Sequence, residues 1–279
     1  MLEALIKERV FAVLLGGAAF AMFVIALVSG FPRLKDGASI RIAAPLLPPQ
    51  MTLQGEGREA EIILAAFKAA GVGKPVEFHI MPFTRHWQAF LSDQRLDGVT
   101  TVPQDIQIKG IRSETYIHYQ NGIFYRLADF PRGLAGEALT RIAAKRIVAF
   151  AGSTSVLPQV REVSDKARLY IERADQLSHS VMLQTGFVDV VIADELIFNF
   201  YTRELLGDGF QTYARTLAFE PVFCPTAYQM VFRDYELRQA FNAGMAVIAR
   251  NGELDRINRK YALAGAIARR GSLPGVCGR

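Results

Sequence analysis

The chain has 279 residues, a formal net charge of +5 and two cysteines. At about 100–200 residues per domain, that length holds one large domain or two small ones. A hydrophobic content of 51% with 21% charge excludes a largely disordered chain. Two cysteines exclude both a disulfide-stapled mini-scaffold and a four-cysteine zinc site. The mean hydropathy of +0.16 is high for a soluble protein, and much of the excess sits at the start of the chain.

Val10 to Val28 is a run of 19 residues without a polar side chain. A helix of about 20 residues spans a hydrocarbon core. Lys7 and Arg9 precede the run, and Phe31-Pro32 ends it. Residues 1–32 therefore read as an uncleaved signal anchor or a cleaved signal peptide, with 33–39 as a polar tether. Either reading places Ile40 onward outside the cytoplasm, tethered to the inner membrane through residues 10–28 in the first case.

From Ile40 the pattern alternates between strand and helix. Ile40–Ala44 reads as a short apolar strand. Ile62, Ile63, Ala66, Phe67 and Ala70 recur at helical spacing from Arg58 to Ala70, and Gly71 is a stop signal. Pro75–Ile80 reads as a strand, and Thr84 as the N-cap of a helix carrying Trp87, Phe90 and Leu91. Gly98–Val102 is a third strand and Tyr116–Tyr125 a longer extended stretch. Residues 128–145 break the pattern with Pro and Gly. Arg146–Phe150 restarts it, a helix is expected over Arg173–Thr185, and FVDVVIA at 187–193 reads as a buried strand before a helix opening at Asp194. Phe219–Phe232 is again extended. Leu237, Phe241, Met245 and Ile248 mark an amphipathic helix, and a short one follows from Glu253 to Tyr261. This is an α/β pattern with mainly parallel sheet. It divides into a first lobe of 40–127 and 220–265, a second lobe of 128–219, and a tail of 266–279.

Several chemistries lack their motifs. No GxxxxGK[ST] loop, GxSxG elbow or HExxH pair occurs. The four histidines, His79, His86, His118 and His179, have no metal-ligand spacing, and no metal or cofactor is expected. Basic residues interleave with acidic ones, as in RDYELRQ, which marks a solvated surface rather than a phosphate-tracking stripe. Nucleic acid is not an expected partner.

The positive signals gather at strand ends, where open α/β sheets bind ligands. Pro49 follows the first strand, and Thr100 and Thr101 end the third. Ser153 and Thr154 open a helix; their hydroxyls and the free N–H groups make either an anion seat or an ordinary cap. Asp194 follows a buried strand, where it can hold a ligand ammonium, cap its helix, or do both. Tyr116, Tyr119 and Trp87 can wall a cleft, although Trp87 reads as core.

Together these segments resemble the bacterial extracellular solute-binding protein family 3, the amino-acid-type periplasmic binding proteins with the two-lobed type II fold. The resemblance covers nearly all of 40–262. It rests on IRIAAPLLPP, on GREAEI at 57–62, on MPFTRHWQAFLSDQRLDGVTTV, on SETYIHYQNGIFY, on MLQTGFVDVVIAD, and most on YQMVFRDYELRQAFNAGMAVIARNGELDRINRKY. It implies capture of a small polar solute between lobes that close about paired hinge strands, followed by delivery to an inner-membrane ABC-type permease or a sensor, with no catalysis. Ser153 and Thr154 match the family's carboxylate-binding helix start, and Asp194 its ammonium-binding acid. The family's arginine is the departure. Aligning GVTTVPQD places Asp105 there, and the nearest arginine is Arg112. Loss of a bidentate carboxylate clamp is not conservative, so the expected ligand has no free α-carboxylate. Two other outcomes are an accessory or assembly protein with an unused cleft and a dehydratase-like enzyme on the same scaffold; Glu56, Glu59 and Asp105 are its acid candidates, with no paired base. In an exported chain, Cys224 and Cys277 are a candidate disulfide.

Overall fold

In this computed structural model the described residues are 39–134, 136–262, 267–274 and 277. The apolar run at 10–28 and all of the tether but Ser39 lie outside them. Among the described residues no helix is long and apolar enough to cross a membrane.

Two sheets carry the chain. The first contains β1 (Ile40–Pro45), β2 (Val76–Met81), β3 (Gly98–Pro103), β4 (Ile111–Tyr119) and β10 (Thr226–Phe232), in the order β2-β1-β3-β10-β4. The second contains β5 (Asn121–Arg126), β6 (Arg146–Phe150), β7 (Leu169–Arg173), β8 (Val190–Asp194), β9 (Leu217–Glu220) and the two-residue β11 (Ala268–Arg269), in the order β7-β6-β8-β5-β9-β11. Each sheet begins with three parallel strands in the spatial order second, first, third. Each then takes an antiparallel strand from the other part of the chain, β10 in the first and β5 in the second. The sequence has no visible repeat, yet the topology repeats. The fully buried strands β3 and β8 are continuous apolar or threonine runs, as strands covered on both faces must be.

The chain passes between the sheets at Gln120 and again between Glu220 and Thr226. The stretch Tyr116–Tyr125 is therefore two strands in two sheets. The sequence reading draws the first crossing at 127, where composition changes; β5 is paired with β8 and β9 before that point.

Helix α1 (Arg58–Ala69) and helix α9 (Tyr235–Arg250) pack against each other on the first sheet. Phe67, Phe232 and Phe241 meet there with ring centroids 5.5–6.3 Å apart. Gly244 sits at the closest approach: a Cβ would lie 1.8 Å from the Ala66 carbonyl oxygen. Gly57 opens α1 at φ 124°, and a Cβ there would meet the Pro49 and Gln50 carbonyl oxygens at 2.5 Å. Thr84 does precede α2 (Arg85–Ser92), but its side chain caps nothing, because its own φ is 71°. That helix buries His86 and Phe90 while Leu91 is exposed.

Among the described residues the other α-helices are α3 (Ala138–Ile142), α4 (Ser153–Val156), α5 (Gln159–Ser164), α6 (Leu177–Gln184), α7 (Glu195–Leu206), α8 (Phe210–Ala214) and α10 (Glu253–Lys260). The helix expected from Arg173 starts only at Leu177. Residues 169–173 are instead edge strand β7, whose partial burial weakens its hydrophobic signal. Cys224 and Cys277 form a disulfide with Cα atoms 5.1 Å apart, tying the end of the chain to the second crossing.

Candidate functional site

Residues at or just beyond the carboxyl ends of β1, β2 and β6 meet around Asp194, the last residue of β8. It ends β8 and is the N-cap of α7, its Oδ1 accepting the Ile197 N–H at 3.0 Å. Phe83, just after β2, and Phe150, the last residue of β6, face each other with centroids 6.4 Å apart. Tyr119 and Tyr228 meet beside them, their rings tilted by 50° with centroids 4.6 Å apart. With Leu47, Asn121, Gln176 and Ile197 these residues line a cavity of about 20 Å³, room for about one water. Burial pushes the Asp194 carboxyl up to about 6; the Ile197 N–H and the Arg58 charge oppose that shift, and Glu195 adds to it.

The helix start at 152–154 faces a carboxylate of the protein itself. Glu172, one residue from the end of β7, accepts from Gly152 N at 2.7 Å and Thr154 N at 3.0 Å. It also accepts from Ser153 Oγ at 2.8 Å, Thr154 Oγ1 at 2.9 Å and Tyr170 Oη at 3.1 Å. Burial would raise its pKa, but these donors bring it below the ordinary carboxylate value. The donors singled out at this helix start are thus turned to a carboxylate of the chain itself.

A second internal carboxyl, Glu59 of α1, lies at the first sheet. Glu59 is fully buried and accepts from Thr101 Oγ1 at 2.7 Å, from Tyr119 Oη at 2.6 Å and from Tyr116 Oη. Burial and Glu59 push both phenols well above their usual range, so both remain donors. Thr101 has φ 52°, a conformation rare for a branched residue. It is held by Glu59, by its N–H to Tyr116 Oη, and by Trp87 Nε1 donating to its carbonyl. Thr100 bonds Thr101 side chain to side chain at 2.8 Å.

Of the residues singled out in the sequence, Tyr119 and Asp194 thus line the cavity. Ser153 and Thr154 are turned to Glu172, and Thr100 and Thr101 are buried behind the cavity wall. The Pro49 carbonyl accepts the Arg58 N–H at the start of α1, and Pro49 does not line this cavity. Asp105 is exposed in a separate groove of about 250 Å³ shared with 155–159 and 223–227. Arg112 donates to Gln229 at 2.8 Å and to the carbonyls of Pro103 and Ile106. The sequence does not mark Phe83, Phe150 or Glu172, and it marks Glu59 only as an acid candidate for a dehydratase. Aromatic residues at strand ends look like core, and nothing local connects Glu172 to a helix start 18 residues earlier. A larger cavity of about 540 Å³, between 132–140 and 270–274, shares no residue with this site. No cluster of metal-ligating side chains occurs among the described residues.

Solved structures with this arrangement are numerous. An ancestral arginine-binding protein bound to arginine matches with a TM-score of 0.64 and 20% identity, over 81% of this chain and 99% of that one. The fold is that of the amino-acid-binding periplasmic proteins. A substrate-binding protein of an ABC uptake transporter from Streptococcus pneumoniae, with bound histidine, shares this fold at a TM-score of 0.63 and 13% identity, over 82% and 94% of the two chains. So does a histidine kinase sensor domain similar to periplasmic binding proteins, at 0.61 and 20%, over 80% and 96%. No family model and no curated protein matches the sequence.

Proposed function

We propose that the chain is a two-lobed solute-binding domain serving a transporter or a sensor, and that its ligand is a small organic cation without an α-carboxylate. The observation that carries the ligand class is the Glu172 carboxylate in the seat formed by Gly152, Ser153 and Thr154. With that seat filled and Asp105 at the arginine position, no clamp remains there for a ligand carboxylate. What remains is a buried carboxyl, Asp194, walled by Phe83, Phe150, Tyr119 and Tyr228. Aromatic faces around a carboxylate suit an ammonium group, through ion pairing and cation–π attraction. Since the closed cavity holds about one water, capture requires the lobes to part about the crossings at 120 and 220–226, a hinge motion common in ligand-binding folds.

In this reading residues 10–28 export the chain or tether it to the inner membrane, where a permease or sensor meets the closed form. Calorimetry with ethanolamine, choline and putrescine beside the twenty amino acids tests the ligand class. One amine is expected to bind, and Asp194→Asn to abolish its binding. Sub-micromolar binding of any standard α-amino acid, or silence from every amine, sinks the reading. The narrowness of the cavity favours a second reading, an accessory domain held shut by its own side chains. Thermal stabilisation by an amine, following RT ln(1 + [L]/Kd), separates the two. A dehydratase reading finds less support: Glu59 is fully bonded inside the first half, and Asp105 lies outside the cavity.

A further inference from the structure

Strand β2, with the sequence VEFHIM, is an edge of the first sheet. It pairs with β1 in unbroken parallel register over all six residues, and among the described residues no strand pairs with its other side. Natural edge strands are guarded by Lys, Pro, bulges or covering segments. Within Val76–Met81 there is no Lys, no Pro and no bulge; Pro75 and Pro82 only bound the strand. The opposite edge, β4, differs. Its pairing with β10 is bulged, and its Glu114 N–H is taken by Asn242 Oδ1 at 3.1 Å.

The register with β1 fixes which groups the free edge offers. The Pro75 and Met81 carbonyls accept from Ile40 and Leu46, so the odd-numbered residues face β1. Backbone groups alternate along a strand, and those of Val76, Phe78 and Ile80 therefore point outward.

A second copy of the chain can meet this edge about a two-fold axis, which makes the two strands antiparallel. With the axis at Phe78, Phe78 stands opposite its own copy and Val76 opposite Ile80. Those three outward residues can then exchange about six backbone hydrogen bonds. Glu77 stands opposite His79 of the other copy, on one face of the ladder. Both are exposed. A carboxylate accepts from an imidazole N–H, so this pair attracts. Moving the axis to residue 77 sets Glu77 against itself, which repels, and moving it to 79 removes both attractive pairs. The charges thus favour one register of the three that the backbone allows.

An apolar contribution lies beside this edge. Gly55 packs on the Phe78 ring, where a Cβ would lie 3.2 Å from it. Leu53, two residues earlier on that loop, is 65% exposed, more than any other large apolar side chain among the described residues.

We infer that two copies of the chain associate through β2, antiparallel and centred on Phe78, joining their first sheets into one. The occupant of the edge is a second copy because the strand is complementary to itself in both backbone groups and charge.

The test mixes two full-length chains, one carrying Glu77→Cys and the other His79→Cys. In this register the added thiols sit in a non-hydrogen-bonded pair with Cα atoms about 4.5 Å apart, within disulfide reach. Residue 77 and its own copy, or 79 and its own copy, are diagonal neighbours about 7–8 Å apart. Under mild oxidation the mixture should yield several-fold more cross-linked dimer than either chain alone, with the bond mapped to 77 and 79 by mass spectrometry. A Glu114→Cys chain, cross-linking at the β4 edge, should give none with Glu77→Cys. Ile80→Pro removes an outward N–H and leaves the β1 ladder whole, so adding it to both chains should cut the yield at least tenfold. Should that variant fail to fold, Phe78→Lys, which sets like charges across the axis, takes its place. No enrichment in the mixture overturns the inference. So does Glu77→Cys cross-linking to itself as readily, or a yield that neither Ile80→Pro nor Phe78→Lys lowers. The cavity around Asp194 contains no residue of β2, so the cross-link and the amine titration fail separately.

Discussion

At the scale of single residues, Glu172 sets the character of the second half. Five donors converge on its carboxylate within 3.1 Å, and charge-assisted hydrogen bonds are stronger than neutral ones. Glu172→Ala leaves the Gly152 and Thr154 N–H groups and the Ser153 hydroxyl without their acceptor. Stability is expected to fall by about 1–3 kcal/mol, seen as a melting temperature lower by about 2–4 °C per kcal/mol in a chain of this size. An unchanged melting temperature would mean that water replaces the carboxylate at no cost. Ser153, Thr154 and Asp194 were legible because strand-end position alone marks them. Their acceptor was not, since Glu172 reaches the helix start only through the β6–β7 register that sets Ala149 beside it.

At the scale of elements, the α1–α9 contact carries the first half. The apolar spacing of Leu237, Phe241 and Ile248 is plain in the sequence, and all three are buried. Gly244 on the same helix is invisible to that pattern, because its role is the absence of a Cβ against the Ala66 carbonyl. Gly244→Ala forces the two helices apart, for an expected loss of about 1–3 kcal/mol by overpacking. Helix propensity alone would favour alanine by about 1 kcal/mol, so the sign of the change in urea midpoint decides which effect wins. Strand β7 escaped the sequence reading for a related reason. Its residues Leu169–Glu172 are all half-buried at the sheet edge, which blurs both strand alternation and helical period.

At the scale of the whole molecule, two buried histidines and one buried aspartate bring a pH dependence close to neutrality. Burial holds His86 at about 3 and His179 at about 4, against 6.5 for a free imidazole. The backbone of Thr100, Pro82 and Thr101 favours charged His86, yet no ring nitrogen of either histidine reaches a hydrogen bond of good geometry. The unfolded chain takes up both protons as pH falls below about 6.5 and the folded chain does not, so stability falls with pH there. Asp194, raised to about 6, works the other way. Between about 6 and 4 the folded carboxyl keeps a proton that the unfolded one has lost, which stabilises the fold as pH drops. The two imidazoles outweigh the one carboxyl, and His118, Glu172 and Asp189, whose pKa values are lowered in the fold, act in the same direction as the imidazoles, so stability falls as pH drops across that window. Urea unfolding at pH 7, 6, 5 and 4.5 measures it, and a flat profile contradicts the burial of the two imidazoles as neutral groups.

The alternation of strands and helices follows from local hydrophobic period and turn residues, so Ile40 to Tyr261 could be read as two α/β halves before any contact was known. Strand-end chemistry is local too, which is why Asp194 and the Ser153–Thr154 helix start stood out. Whether those groups face a ligand or the protein itself is not local. It depends on which side chain a neighbouring strand brings opposite them, and on how closely Phe83 and Phe150 meet across the cavity. Both are set by sheet register and by the packing of the two halves. Hence the two-sheet α/β fold was legible in the sequence, whereas the Glu172 carboxylate at the 152–154 helix start and the narrow aromatic cavity emerged only once the chain was assembled.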